Sequence, residues 1–437
     1  KIIKIARLNI KKWRYITVNV WIVNPFDPLP GEVNKLGRYA FLAQVLVEEG
    51  HNVTWWTSSF SHRFKKYRDK NLKNLVESNF IKNLSINFIS VPPYQSNTSF
   101  QRVHNHWIYA KNFEKDSVKA VRFGNCSQPD IIIASSPPLY SARKAIRVAK
   151  KFNAKVIIDI QDLWPEGFQS FLPSPFRDVS GLFLCPLVQL ENANFRQCDG
   201  ISGVSHDYID RALCAQKSEK PCAIVYLGVD LSHFDSIAQH SIVPINKKPH
   251  DFWVVYIGSV SHNYDLDTLI QAASMVKRRD IPTVKIFIIG DGSMLPALKR
   301  LSNNIGLDNV QFPGFLGYES MVPFLIHADL AINAIKKESH IAFPNKIFDY
   351  CAAGLPIINS IAGGELEKLI KEQNIGLQYI PGDPGSLFEA IMKLHNDENT
   401  RKIMSSNSRR LAETLFDKNI GYKRFIELIY QVMGNNR

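Results

Sequence analysis

The stretch "FPNKIFDYCAAGLP", Phe343–Pro356, sets a cation and a carboxylate three residues apart, Lys346 and Asp349, with proline near one end and glycine then proline at the other. Proline is tolerated in a helix's first turn, and Gly354 with Pro356 marks a stop, so a short helix is predicted to begin near Pro344 at a strand's end. Side chains three apart share one face of it. Such a start offers free N–H groups and the positive end of a dipole to a diphosphate, with Pro344 and Asn345 at the tip. Lys346 adds a point charge, and Asp349, one turn further in, can accept from both hydroxyls of a ribose. Together they would recognise a nucleoside diphosphate. The plainer alternative is an amphipathic core helix carrying an exposed Lys–Asp pair.

Other strand-end loops fit that chemistry. "YIGSVSHNYDLD" turns at Gly258-Ser259, "IIGDGSMLPAL" at Gly290-Asp291-Gly292, and "QFPGFLGYES" opens a loop at Pro313–Gly317. Small residues there let backbone approach a nucleotide. Toward the N-terminus, "NPFDPLPGEVNKLGRYA" places Gly31 at an expected helix start, where an anion could rest. "IDIQDLWPEG" puts Asp162 and Glu166 just past a strand, as candidates for a proton acceptor or for binding sugar hydroxyls, or simply as helix caps. No P-loop occurs, and no G-x-G-x-x-G is followed by a ribose acid, which argues against kinase, NTPase and dehydrogenase chemistry.

Positioning such loops requires parallel sheets with crossover helices. Short β-rich runs alternate with longer helical patterns in two series, from "ITVNVWIV" to "AIVYLG" and from "WVVYIG" to "GLQYI". The predicted fold is α/β, two doubly wound Rossmann-like domains facing across a cleft. The chain divides into a basic flank at 1–16, an acceptor-binding domain at 17–235, a linker at 236–251, a nucleotide-sugar-binding domain at 252–415, and a C-terminal helix at 416–437 placed to pack back on the first domain. With 437 residues, two large cores are the natural outcome.

The net charge of +13 is unevenly spread: residues 1–240 hold 31 of the 53 Lys+Arg but 20 of the 40 Asp+Glu. A basic half faces phosphate, either nucleic acid or an anionic membrane. No zinc spacing, RNA-binding aromatic signature or arginine tract is present, so nucleic acid is not expected. Residues 1–16 interleave basic and apolar side chains, as an interfacial helix or an ordinary lead into the first strand would. Six scattered cysteines without a C-x-x-C pair read as reduced apolar fillers of a cytosolic protein. No apolar run reaches a transmembrane span, and no secretory segment is read at the start. The expected location is the cytoplasm, peripherally on the inner face of the cytoplasmic membrane.

In this order, "PG…GHNVT", "IQDLWPE", "YLGVDLSHF", "YIGS", "IIGDG", "FPGF", "ADLAINAI", "FPNKIFDYCAAGLPII" and "GGELEKLIKEQNIG" resemble the family 4 retaining glycosyltransferases of the GT-B fold. The "DLWPE" and "FPNKIFDY" variants are similar to the branch that builds O-antigen, capsule and related surface glycans. The resemblance implies Asp349 on the ribose and Lys346 on the diphosphate. Gly258-Ser259 would lie by the phosphates, Gly290-Asp291 by the nucleoside, Phe315 by the base and Gly363-Gly364-Glu365 in the donor loop. Gly31 would approach donor phosphates and acceptor. There are departures. Ile341 stands where many relatives carry glutamate, "SHNYDLD" lacks their Arg and Lys, and Gln161-Asp162 replaces their histidine.

The expected activity is retaining transfer of a hexose-type sugar from a nucleotide-diphosphate donor, with UDP the expected nucleotide, to a lipid-linked or glycan acceptor. Asp162, Glu166 and Lys346 are the candidate catalytic groups, and no metal or other cofactor is expected. The variable stretch Tyr94–His106 is read as a loop that selects the acceptor. The rival readings are a non-hydrolysing sugar-nucleotide epimerase and a non-catalytic nucleotide-sugar-binding subunit of a glycan assembly complex.

Overall fold

The computed structural model describes residues 17–434 apart from 34–35, 70, 74–75, 77–82, 98, 163, 166–179, 217–218, 243–246, 340 and 342. Glu166, the flank 1–16 and part of the 236–251 stretch therefore lie outside the described residues. Two compact units emerge: one holds the chain up to Tyr226 together with Tyr422 onward, the other Leu227–Gly421.

The first unit carries a seven-stranded sheet in the spatial order Leu84–Ile89, Asn52–Ser58, Asn19–Val23, Ile131–Ser136, Lys155–Ile160, Gly200–Gly203, Cys222–Ile224. The second carries six, ordered Val310–Gly314, Val284–Ile289, Phe252–Ile257, Leu330–Asn333, Ile357–Asn359, Gly376–Gln378. All pairings in both sheets are parallel. In each sheet the first strand lies inside, the next two follow on one side and the rest on the other. Strand order thus reverses at the first strand, the point where open α/β sheets bind ligands.

Runs such as "IIIASS" and "FWVVYI" are buried at every position, as strands covered on both faces must be. The two faces of Asn19–Val23 enter different cores. Val20 and Ile22 pack with the helix Arg38–Glu48 and with Tyr422, Phe425 and Ile429 of the C-terminal helix. Trp21 and Val23 pack with Tyr109 and Phe113 of the helix Phe100–Arg122. That helix begins inside the stretch read as the Tyr94–His106 loop, capped by the Ser99 hydroxyl, which accepts from the Arg102 N–H at 3.2 Å. A small hairpin, Phe60–Ser61 with Lys66–Tyr67, also went unread: two-residue strands are too short to show periodicity. No described helix is long and apolar enough to cross a membrane.

Candidate nucleotide-binding site

In a parallel sheet every strand ends at the same edge. Gly258-Ser259, Gly290-Asp291-Gly292 and Phe315 directly follow the second unit's first three strands. Their closeness is enforced by glycine. Gly290 sits at φ 148°, and a Cβ on it would lie 1.8 Å from the Gly258 carbonyl oxygen. No side chain fits there, so the two turns meet backbone to backbone.

The predicted helix is present as Lys346–Ala352, starting two residues beyond Pro344, with Asn345 as its cap residue. It does not follow its strand at once, because the stretch 334–345 separates it from Asn333. The predicted stop is well formed. Gly354, at φ 65°, donates its N–H to Cys351 O at 3.0 Å, and Leu355 donates to Tyr350 O at 2.9 Å, which closes the last turn.

Lys346 is not the exposed partner of Asp349 that an amphipathic helix would show. It is only 7% exposed. Its Nζ lies 3.8 Å from the Tyr256 ring centroid and 4.5 Å from that of Tyr264, with no hydrogen-bond acceptor among the described residues. A Cβ at Gly258 would stand 3.2 Å from the same nitrogen. Two aromatic faces therefore hold an ammonium beside the turn where glycine leaves the backbone bare. Burial pushes the Lys346 pKa well below the usual lysine value.

Asp349 is half-buried and accepts a hydrogen bond from the Tyr318 hydroxyl at 2.9 Å. The Tyr318 ring stacks on His233 with centroids 5.8 Å apart. Burial, then the Asp349 charge, raise the Tyr318 pKa, so this phenol stays a donor. The structure thus brings together Gly258, Gly290 and Lys346, with Asp349 one turn along. Tyr256, Tyr264, Tyr318 and His233 were missed by sequence reasoning; Tyr256 within "WVVYIG" and Tyr318 within "LGYES" look like core residues. Phe315 is 76% exposed. Gly363 and Gly364 both take positive φ, at 77° and 73°, and Gly363 N–H donates to Glu367. Glu365 stands half-buried in the first turn of the helix Gly364–Glu372.

In the first unit, Gly31 lies in an exposed turn ahead of the helix rather than at its start, because the helix begins at Arg38 with Gly37 as cap residue. Asp162 is exposed just past Lys155–Ile160, and its charge acts on Arg102. Gln161 donates through Nε2 to the Tyr39 hydroxyl at 2.7 Å. Among the described residues, no group of three or more His, Cys, Asp and Glu is placed to hold a metal ion.

Residues 239–411 match the family profile of glycosyl transferases group 1. That segment contains every residue of this site named above in the second unit except His233. The chain is 22% identical over 236 residues to WcaI of Escherichia coli K12, a protein named as a colanic acid biosynthesis glycosyl transferase; the match covers 52% of this chain and 56% of the relative. It is 24% identical over 222 residues to the O-antigen chain mannosyltransferase C of Escherichia coli, covering 50% and 57%. The chain thus spans a little over half the length of these relatives. Among solved structures, Anabaena Alr3699/HepE in complex with UDP superimposes with a TM-score of 0.63 at 17% identity, covering 94% of this chain and 99% of that one. The fold is that of the GT-B glycosyltransferases, with two Rossmann-like units.

Proposed function

We propose that this chain is a retaining glycosyltransferase that moves a sugar from a nucleotide-diphosphate donor, a UDP-sugar, to a lipid-linked or glycan acceptor in surface-polysaccharide biosynthesis. The observation that carries the reading is the Lys346 ammonium, buried between Tyr256 and Tyr264 against Gly258 without an acceptor among the described residues. A diphosphate at that turn would supply the missing acceptor. Asp349, already oriented by Tyr318, would take the ribose hydroxyls. The UDP held by the Anabaena neighbour supports the choice of nucleotide, and the names of the Escherichia coli relatives support the pathway class. Lys346 and backbone N–H groups supply the positive charge that the leaving diphosphate needs, so the transfer is proposed to need no metal.

Titration calorimetry with UDP, GDP and TDP tests this. UDP is expected to bind most tightly, Asp349→Ala to weaken it about tenfold or more, and EDTA-treated protein to keep full transfer to a lipid-linked acceptor. Equal binding of the Asp349→Ala protein would overturn the ribose assignment. Activity lost in EDTA and restored by manganese would overturn metal independence. Release of free nucleotide only when an acceptor is present would exclude the epimerase, whereas conversion of the sugar nucleotide to its epimer without any acceptor would point to it.

The proposed location is an anionic membrane surface. The helix Phe100–Arg122 leaves Phe100 95% exposed, with Val103 and Trp107 further along the same face and Lys111 Nζ 5.3 Å over the Trp107 ring. Liposomes containing acidic lipid are expected to float the protein, and Phe100→Ser with Trp107→Ser to lower the bound fraction severalfold. Equal flotation on neutral lipid would refute the electrostatic part.

A further inference from the structure

A second cationic cluster lies in the first unit, on elements that the nucleotide reading does not use. The Arg102 guanidinium sits 5.6 Å over the Phe26 ring and 5.2 Å over the Trp164 ring. His106, one turn along the same helix, packs between the same two rings, with centroids 5.1 Å and 5.6 Å away. From the hairpin, His62 lies 5.2 Å from the Phe26 ring, and Lys65 Nζ lies 4.5 Å over the Tyr94 ring. Four separate segments, the loop at Phe26, the hairpin, the stretch from Tyr94 into the helix and the loop at Trp164, thus send basic and aromatic groups to one place.

Two observations mark it as a site rather than packing. His106 is 3% exposed, yet its Nε2 has no hydrogen-bond partner among the described residues, and neither has the buried Nε of Arg102. Unsatisfied buried polar atoms are costly unless a ligand completes them. Among the described residues the charge is also unbalanced. Arg102 is permanently cationic, Lys65 stands beside it, and the carboxylate that acts on Arg102 is the exposed Asp162. Around the buried His106 and Tyr94, the half-buried Phe26, Arg102 and Trp164 keep aromatic and guanidinium surface within reach of solvent.

We propose that this cluster is the acceptor subsite, in which Phe26 and Trp164 take the face of a sugar ring while Arg102, Lys65 and His106 bind an oxyanion carried by the same acceptor. The proposal rests on the transferase reading. It deepens that reading by making the acceptor anionic, through either the phosphate of a lipid carrier or the carboxylate of an acidic sugar. Rings that pack against the hydrophobic face of a saccharide, beside a planar guanidinium that can clamp an oxyanion, suit both sources.

The test is calorimetry on the full chain saturated with UDP, using geranyl diphosphate, methyl glucuronide and uncharged methyl glucoside as probes. At least one charged probe is expected to bind tenfold or more tightly than methyl glucoside; the diphosphate winning names the carrier, the glucuronide an acidic sugar. Arg102→Gln and Lys65→Gln are each expected to weaken that probe about tenfold while leaving UDP affinity unchanged. Lys65 lies on a hairpin tip, so its variant decides the matter if Arg102→Gln unfolds. No preference for a charged probe, or variants that bind it like the parent, would overturn the subsite. Failure of UDP itself to bind would sink the transferase reading instead, and titration of the Lys346→Met protein without UDP would still read the cluster.

Discussion

Lys346→Met is expected to weaken nucleoside-diphosphate binding about 100-fold while the protein melts at the same temperature as the parent or higher. The two effects part because, on the proposed reading, burial of the lysine serves the ligand and not the fold. The residue is 7% exposed, its ammonium is buried with no acceptor among the described residues, and it gains only the two aromatic faces at 3.8 Å and 4.5 Å. Cation–π contact is worth roughly 1–2 kcal/mol at such a site, less than the several kcal/mol that burying an ion costs. Methionine fills similar volume between the rings without that cost. Calorimetry with UDP and a thermal melt check both arms. A variant that unfolds readily, or that binds UDP unchanged, would contradict the assignment.

The same lysine fixes a pH signature. Burial lowers its folded pKa, so between that value and the ordinary one near 10.4 the unfolded chain binds a proton that the folded chain does not. Stability from this group therefore rises with pH across that window, and Lys346→Met removes the slope. A bound diphosphate acts oppositely, raising the lysine pKa. Donor binding at alkaline pH is expected to take up about one proton and to weaken as pH rises further. Calorimetry in two buffers of different ionisation enthalpy reads that proton directly, and its persistence in the methionine variant would assign it elsewhere.

Much of the framework was legible because parallel strands buried on both faces write continuous β-branched runs. "NVTWWTS" is a strand from end to end, and "KVIIDIQ" overruns its strand by one residue. Glycine marked where strands end and helices stop, which is why Gly258, Gly290 and Gly354 all stand at the turns expected of them. What remained hidden was the third dimension of aromatic residues. Nothing in "WVVYIG" says that Tyr256 caps an ammonium ninety residues away in sequence, and an i, i+3 Lys–Asp pair reads as solvated until Tyr256, Tyr264 and Tyr318 are seen to part its members. The cluster around Arg102 was hidden for a related reason. Its residues come from four segments with no common period, and the stretch read as a loop is helical from Phe100, which fixes Arg102 and His106 one turn apart.

Asp159→Asn is expected to destabilise the first unit by about 3–5 kcal/mol, lowering its melting temperature by roughly 10 °C. Asp159 is wholly buried and takes four hydrogen bonds: Arg38 Nε and Nη2 at 2.8 Å and 2.7 Å, the Tyr39 hydroxyl at 2.8 Å and the Ser202 hydroxyl at 2.7 Å. Arg38 also donates to Val225 O at 2.7 Å, so one ion pair ties the helix Arg38–Glu48 to the ends of three neighbouring strands. Asparagine cannot answer the guanidinium's charge, and the cation left behind has no water to turn to. Burial alone would raise the Asp159 pKa, but Arg38 and the hydroxyls more than offset it and hold it below the ordinary value. The stabilisation is therefore complete above the unfolded pKa near 3.9 and is lost as pH falls through the lower folded value. The parent should lose stability in acid on this account and the variant should not. The double variant Asp159→Leu with Arg38→Met should recover most of the loss, because apolar groups of similar volume remove both charges together. If Asp159→Asn melted like the parent, the pair would be dispensable, and the strand end that presents Gln161 and Asp162 would need another anchor.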